Sequence, residues 1–284
     1  MRTRFRAIPF LKRVLPTILN RRVALRAEAA SRVHVIRVCV AGVTGWTGRP
    51  VGDAVEAASD LELVAGVSRT DPASYSSVAE ALDAVAADVL VDYTHATAVR
   101  ANVLAAVERS VNAVVGSSGL SAADYEEIDA LARKRHVGVI AAGNFSLTAA
   151  LLLRSAVEIA RHLDAWEVID YASAGKPDAP SGTVQELAER LEGVRPPKLG
   201  VPIGEILGAR EARGATVAGT QVHSLRLPSF VVSTEVVFAA EGERLTIRHD
   251  AAETPAPYVA GTLLAIRAVP QRVGLTRGLD QLLG

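Results

Sequence analysis

The chain has 284 residues, enough for one large domain or two modest ones with a proper core. Hydrophobic residues make up 49%, charged residues 22%, and the formal net charge is zero, a balance that excludes a disordered or fibrous chain. The single cysteine, Cys39, excludes an internal disulfide framework and a Cys-rich metal site, so no metal is expected. No apolar run approaches the roughly 20 residues of a membrane span.

The zero net charge hides an asymmetry. Residues 1–33 hold eight arginines and Lys12 against one acid, Glu28, which leaves 22 basic and 30 acidic residues in the remainder. A basic, acid-poor leader is the pattern of a transit peptide or a membrane-surface arm. It lacks the apolar core of a secretory signal, and it reads as an extension outside the fold, disordered or targeting. The acidic body speaks against nucleic-acid binding.

From Val35 short apolar runs alternate with helical stretches. "VIRVCVAG" reads as a buried strand, with Cys39 as a structural thiol inside it. A helix, "GRPVGDAVEAASD", follows, then a strand, "LELVAGVS". "YSSVAEALDAVA" is helical and "DVLVDYT" a strand; "TAVRANVLAAVERS" is helical and "NAVVGSS" a strand. "SAADYEEIDALARKRH" is a helix capped by Ser121, with Arg133, Lys134 and Arg135 at its negative end and Gly138 following it. "VGVIAAGN" is a further strand. This alternation implies a doubly wound parallel sheet, an α/β domain.

Beyond Asn144 the rhythm changes. A long helix, "TAALLLRSAVEIARHL", leads to a strand, "WEVIDYAS", and a helix, "VQELAERLEG". Several strands with short breaks fill residues 216–251, which predicts mixed or antiparallel pairing. A final helix, "APYVAGTLLAIRAV", closes the pattern. The expected organisation is a dinucleotide-binding domain over residues 34–145 with 255–284. An α+β domain is inserted between, over 146–254.

Two motifs carry the chemistry. "AGVTGWTGR" sets Gly42, Gly45 and Gly48 in G-x-x-G-x-x-G spacing between a strand and a helix. A backbone this small approaches a pyrophosphate closely, and the helix N-terminus offers free N–H groups. Gly42, Thr44, Gly45, Trp46, Thr47 and Gly48 are the candidate cofactor turn. At the end of the second strand, where an acid would bind a ribose diol, the chain reads Ser68, Arg69, Thr70. Arg69 with two hydroxyls suits a 2′-phosphate, hence NADPH; Asp71 is close enough in sequence to keep NADH open.

The second motif is "KPDAPSGTVQEL". Lys176, Ser181, Gly182 and Thr183 precede or open a helix, so that a cation, two hydroxyls and orphan N–H groups can converge on a carboxylate. Thr183 with Glu186 also fits the capping-box pattern. Gly116, Ser117 and Ser118 lie at the carboxyl end of a strand, where open α/β sheets bind ligands. Asn144 and Phe145 lie at the domain crossover, where an aromatic ring can back a nicotinamide.

With "VVGSSGLS", "AAGNFSL", "VHSLRLPSF" and "GERLTIRHDA", these segments occur in the order seen in the dihydrodipicolinate reductases of bacterial lysine synthesis. The chain resembles that family from about Val35 to Val269, and "K-x-D-A-P-S-G-T" is its most specific segment. The resemblance implies a Rossmann domain with an inserted mixed-sheet domain, a cytoplasmic homotetramer formed through that sheet, and reduction of a cyclic imine-type dicarboxylate by NADH or NADPH. It makes Lys176 the active-site lysine and Ser181, Gly182 and Thr183 the carboxylate cradle. Ser118 joins the substrate contacts, and Gly116 to Ser118 with Asn144 and Phe145 line the nicotinamide.

One departure stands out. The family's two adjacent histidines fall where this chain has Ala172 and Ser173, and a further family histidine after "RLP" is replaced within "SFVVSTEV". The proton then comes from Lys176, Tyr171, Ser173 or water, with Lys176, against apolar walls, preferred. His223 and His249 read as hydrogen-bonded structural residues. The alternatives are a same-fold oxidoreductase with another imino- or keto-acid substrate, and a non-catalytic NADPH-binding protein.

Overall fold

The computed structural model describes residues 35–230 and 232–284; the basic extension read from residues 1–33 lies outside them. Ten of the expected elements appear in order up to the second sheet: β1 (Ile36–Ala41), α1 (Gly48–Ala57), β2 (Leu61–Val67), α2 (Val78–Ala84), β3 (Val89–Asp92), α3 (Val99–Glu108), β4 (Asn112–Val115), α4 (Ala122–Arg135), β5 (Gly138–Ala141) and α5 (Leu147–Ala160). They are followed by β6 (Ala165–Ala172), α6 (Gly182–Glu192), β7 (Ala215–Val217), β8 (Thr220–Arg226), β9 (Val232–Ala240), β10 (Glu243–Asp250), α7 (Ala256–Ala268) and β11 (Gly274–Arg277).

The first sheet has the order β11-β5-β4-β3-β1-β2, and every pair in it is parallel. β3 and β5 are buried along their whole length, which is why their sequences are unbroken apolar runs. Chain order reverses between β1 and β3, so the crevice at their carboxyl ends is the expected ligand position. α7 packs Ala265 and Ile266 into the same core as Val38, Val40, Val51 and Val55. The last helix therefore returns to the first sheet.

The second sheet, β10-β9-β6-β8-β7, is mixed: β6 and β8 run parallel and the other pairs antiparallel. α5 and α6 cover one face with Leu152, Leu153, Ala156, Leu187 and Leu191, against Trp166, Val168, Val236 and Phe238. β6 alternates buried and half-buried positions along all eight residues, as a one-faced strand must.

Two points differ from the sequence reading. β11 was not foreseen: "GLTR" has one strongly apolar residue and pairs only with β5, at the sheet edge. α4 ends at Arg135, within a residue of the expected end. His136 takes the left-handed cap at φ 55°, and Gly138 opens β5. The capping box at Thr183 is absent, because Ser181 is the N-cap, its Oγ accepting from the Val184 N–H at 3.4 Å. The reason lies in Glu186, whose carboxylate accepts the Gly143 N–H instead of reaching back to its own helix.

Candidate active site

The cofactor turn follows β1. Gly42 has φ +81°, and a Cβ there or on Gly48 would run into backbone, Tyr93 O for Gly42 and Gly42 O for Gly48. Only glycine lets the turn close on itself and bring the α1 N-terminus to the carboxyl ends of β1 and β3. Thr47, at the N-cap, makes no capping bond. Thr44 Oγ1 lies 2.8 Å from Ser68 Oγ, and Ser68 Oγ lies 3.2 Å from Thr70 Oγ1, so the loops after β1 and β2 are tied by a row of hydroxyls. Arg69 is exposed beside them. Asp71 is turned into its own loop, accepting from Ser74 Oγ at 2.6 Å and Ala73 N at 3.1 Å, and these bonds hold its carboxyl below the usual range.

A cavity of about 620 Å³ opens along the carboxyl edge of the first sheet and reaches the second. It brings together Trp46, Thr47, Gly116, Ser117, Ser118, Asn144, Phe145, Lys176, Ser181, Gly182 and Thr183. Gly42, Thr44, Gly45, Gly48 and Arg69 lie outside its lining. Lys176 Nζ is 2.8 Å from Asp178 Oδ1, and its side chain is 29% exposed. A carboxylate thus stands next to the ammonium where the sequence suggested apolar walls.

Individual roles are narrower than the motifs suggested. The Ser117 hydroxyl donates to buried Asp92 Oδ1 at 2.5 Å and accepts the Thr94 N–H at 2.7 Å, so it organises the strand ends; Ser118 is exposed on the cavity side. Phe145 is only 1% exposed, its ring 6.1 Å from Tyr93 in edge contact, so it backs the cavity as a wall. Asn144 Nδ2 donates to Thr183 Oγ1 at 3.3 Å, and Thr183 Oγ1 donates to Gly143 O at 3.3 Å, which joins the crossover to the cradle. Ala172 is buried, Ser173 is exposed outside the lining, and Tyr171 donates to Glu235 Oε2 at 3.1 Å.

His223 bonds Glu167 Oε2 at 2.7 Å, and His249 Nε2 lies 3.4 Å from Ser146 Oγ. Neither ring lines the cavity, and burial lowers the His249 pKa. Cys39 is fully buried, and burial pushes its thiol up to about 12. Among the described residues no cluster of three His, Cys, Asp or Glu could hold a metal, and no helix is long and apolar enough to cross a membrane.

Sequence reasoning missed several lining residues: Tyr93, Tyr125, Glu186, Tyr258 and Arg277. Tyr93 directly follows β3, so the strand-end rule that selected Gly116 applies equally to it. Arg277 ends β11 and was invisible once that strand was missed; its guanidinium lies 4.3 Å over the Tyr125 ring and donates to Glu189 Oε2 at 2.9 Å. Glu186 is 7% exposed; burial raises its pKa, opposed by the Gly143 N–H that its Oε2 accepts at 2.6 Å.

A parallel sheet with a glycine turn at its switch point, whose Trp46 and Thr47 share one cavity with the α6 N-terminus, is the architecture of a dinucleotide-dependent oxidoreductase. Comparison with known proteins narrows the class. Residues 36–145 match the family model for the dihydrodipicolinate reductase N-terminus, and residues 148–283 the model for its C-terminus. The chain is 39% identical over 256 residues to the 4-hydroxy-tetrahydrodipicolinate reductase of Cutibacterium acnes, covering 88% of this chain and 99% of that one. It is 40% identical over 252 residues to the Nocardia farcinica enzyme of the same name, covering 87% and 98%. A dipicolinate-bound dihydrodipicolinate reductase from Paenisporosarcina sp. TG-14 superposes with a TM-score of 0.73 at 27% identity, over 87% of this chain and 99% of that one. The chain belongs to the dihydrodipicolinate reductase family, whose members are NAD(P)H-dependent reductases.

Proposed function

We propose that this chain is an NADPH-dependent reductase of a cyclic imine-type or unsaturated carboxylate, of the 4-hydroxy-tetrahydrodipicolinate kind, in the lysine and diaminopimelate branch. The observation that carries the reading is the single cavity shared by the anion cradle (Lys176, Ser181, Gly182, Thr183) and the cofactor-side residues Thr47, Asn144 and Phe145. A carboxylate held at the α6 N-terminus accepts from the Gly182 and Thr183 N–H groups and the Ser181 hydroxyl, with Lys176 adding charge. That clamp turns the adjacent C=N or C=C carbon toward the cofactor edge. Reduced nicotinamide supplies the hydride when bound; Phe145 and Tyr93 keep that wall apolar.

The proton must follow the hydride. Lys176, ion-paired with Asp178, is the cationic donor in the cradle, and we assign it the proton step. Tyr171 is committed to Glu235, which leaves it a poor rival.

NADPH is preferred over NADH in this reading because Arg69 is exposed beside three hydroxyls, while the Asp71 carboxylate is engaged by Ser74 and Ala73. The same reading carries a cytoplasmic homotetramer with the cofactor half over residues 34–145 and 255–284 and the substrate half over 146–254. Steady-state oxidation of NADPH and NADH with freshly generated hydroxy-tetrahydrodipicolinate tests the activity. Tight NADPH binding without turnover on that compound would move the assignment to another imino- or keto-acid.

A further inference from the structure

The segment that carries Lys176 runs from β6 to α6 through residues 173–181, and most of it is exposed. Such a loop needs anchors to hold a side chain at a reacting atom. Beneath it sits a charged pair that the hydride chemistry does not use. Asp170, on β6, is 0% exposed, and the Arg226 side chain at the end of β8 is 16% exposed.

The two residues hold the loop at separate points. Asp170 Oδ2 accepts the Ser181 N–H at 2.9 Å, and so fixes the residue that caps the cradle helix. The same oxygen accepts from Ser224 Oγ at 3.1 Å and from Arg226 Nη2 at 2.8 Å. Arg226 Nη2 also donates to Asp178 O at 2.6 Å. Its Nη1 donates to Leu225 O at 3.0 Å and Asp170 O at 3.4 Å, which sets the plane of the guanidinium. Asp178, pinned by its carbonyl, presents its carboxylate to Lys176 Nζ. The chain of contacts therefore runs from Asp170 and Arg226 to Asp178, then to Lys176, and separately to Ser181.

We infer that Asp170 and Arg226 are positioning residues that set the distance between Lys176 and the Ser181–Thr183 cradle. The inference rests on the reading of those residues as the carboxylate clamp. The fork geometry is what aims it: Nη1 is held by Leu225 O and Asp170 O, and the rigid plane then directs Nη2 at both the Asp170 carboxylate and the Asp178 carbonyl. A lysine ammonium is a point donor with no second prong, so it loses the Leu225 O and Asp170 O contacts that orient the bridging nitrogen. Misplacement of a clamp by about 1 Å costs on the order of 100-fold in rate.

The test uses the full chain and three variants, Arg226→Lys, Arg226→Ala and Asp170→Asn. Asp170→Asn keeps an acceptor for Ser181 N–H and removes the charge facing Arg226. The readouts are NADPH affinity, dipicolinate affinity of the NADPH-loaded protein, kcat and KM on hydroxy-tetrahydrodipicolinate, and amide hydrogen exchange of residues 173–184. The expected result for Arg226→Lys is NADPH affinity within about twofold of the parent and faster exchange confined to 173–184. Dipicolinate affinity and kcat/KM should fall about 100-fold. Arg226→Ala should recover part of that loss when guanidinium ion is added at sub-denaturing concentration. A folded Arg226→Lys protein with parental exchange in 173–184, or with parental anion affinity, overturns the inference. If the parent itself neither binds dipicolinate nor turns over, the functional reading fails, and the exchange of 173–184 alone then decides the positioning role.

Discussion

Replacing Arg69 with alanine separates the two cofactors. The side chain is exposed, next to Ser68 and Thr70, and among the described residues it has no ion-pair partner, so its removal leaves the fold intact to within about 0.5 kcal/mol. Its proposed work is to meet the 2′-phosphate of NADPH. A hydrogen bond to a charged group contributes about 1.5–3 kcal/mol net, and exposure puts Arg69 at the lower end. At 1.4 kcal/mol per tenfold, Arg69→Ala should weaken NADPH binding about 10- to 30-fold. NADH, with no phosphate there, should change by less than about twofold. Titration calorimetry with each cofactor reads the difference directly. A second arm raises the salt: near 1 M the screening length falls to about 3 Å, and the parent's preference for NADPH should shrink while NADH binding holds. Equal loss of both cofactors, or loss of neither, would refute the phosphate assignment.

Lys176→Ala should lower kcat/KM by about 10²- to 10⁴-fold with NADPH affinity unchanged, measured by steady-state kinetics and calorimetry on the same preparation. Glu186→Gln should change stability in a pH-dependent way. Burial raises the folded-state pKa of Glu186, so its stabilising contribution is present below the ordinary carboxyl pKa and lost as pH rises through the raised value. Thermal unfolding should therefore show the variant more stable than the parent well above that value and equal to it in acid. Phe238→Ala removes a fully buried ring that packs 5.9 Å from Trp166 under α5 and α6. Urea unfolding should show a loss of about 3–5 kcal/mol with the midpoint shifted accordingly. Gly42→Ala, forced to φ +81° against Tyr93 O, should weaken both cofactors alike and lower Tm, in contrast to Arg69→Ala.

The parallel half of the fold was legible because its strands are buried on both faces and read as unbroken apolar runs between amphipathic helices. The glycine turn was legible for a related reason: Gly42 and Gly48 stand where a Cβ would strike backbone, so the sequence has no freedom there. β11 was hidden because an edge strand of four residues needs little apolar content. The cap of α6 was misread because Glu186 satisfies a long-range partner, Gly143, and a capping box counts only local spacing. Ser117 looked like a ligand contact, yet Asp92, far off in sequence, holds its hydroxyl. Tyr125, Glu186 and Arg277 meet in one cavity wall only through tertiary packing. Local patterns thus found the turn and the cradle, and the wall between them required the fold.

In the proposed reaction the Lys176 cradle presents a carboxylate-bearing imine to reduced cofactor. Its most direct measurement is the loss of reduced-cofactor absorbance when the purified chain, NADPH and freshly generated hydroxy-tetrahydrodipicolinate are mixed. Saturable NADPH oxidation is predicted, inhibited by dipicolinate and slowed at least about 100-fold in Lys176→Ala. NADPH oxidation that neither saturates with the imine nor responds to dipicolinate, or that persists undiminished in Lys176→Ala, would contradict it.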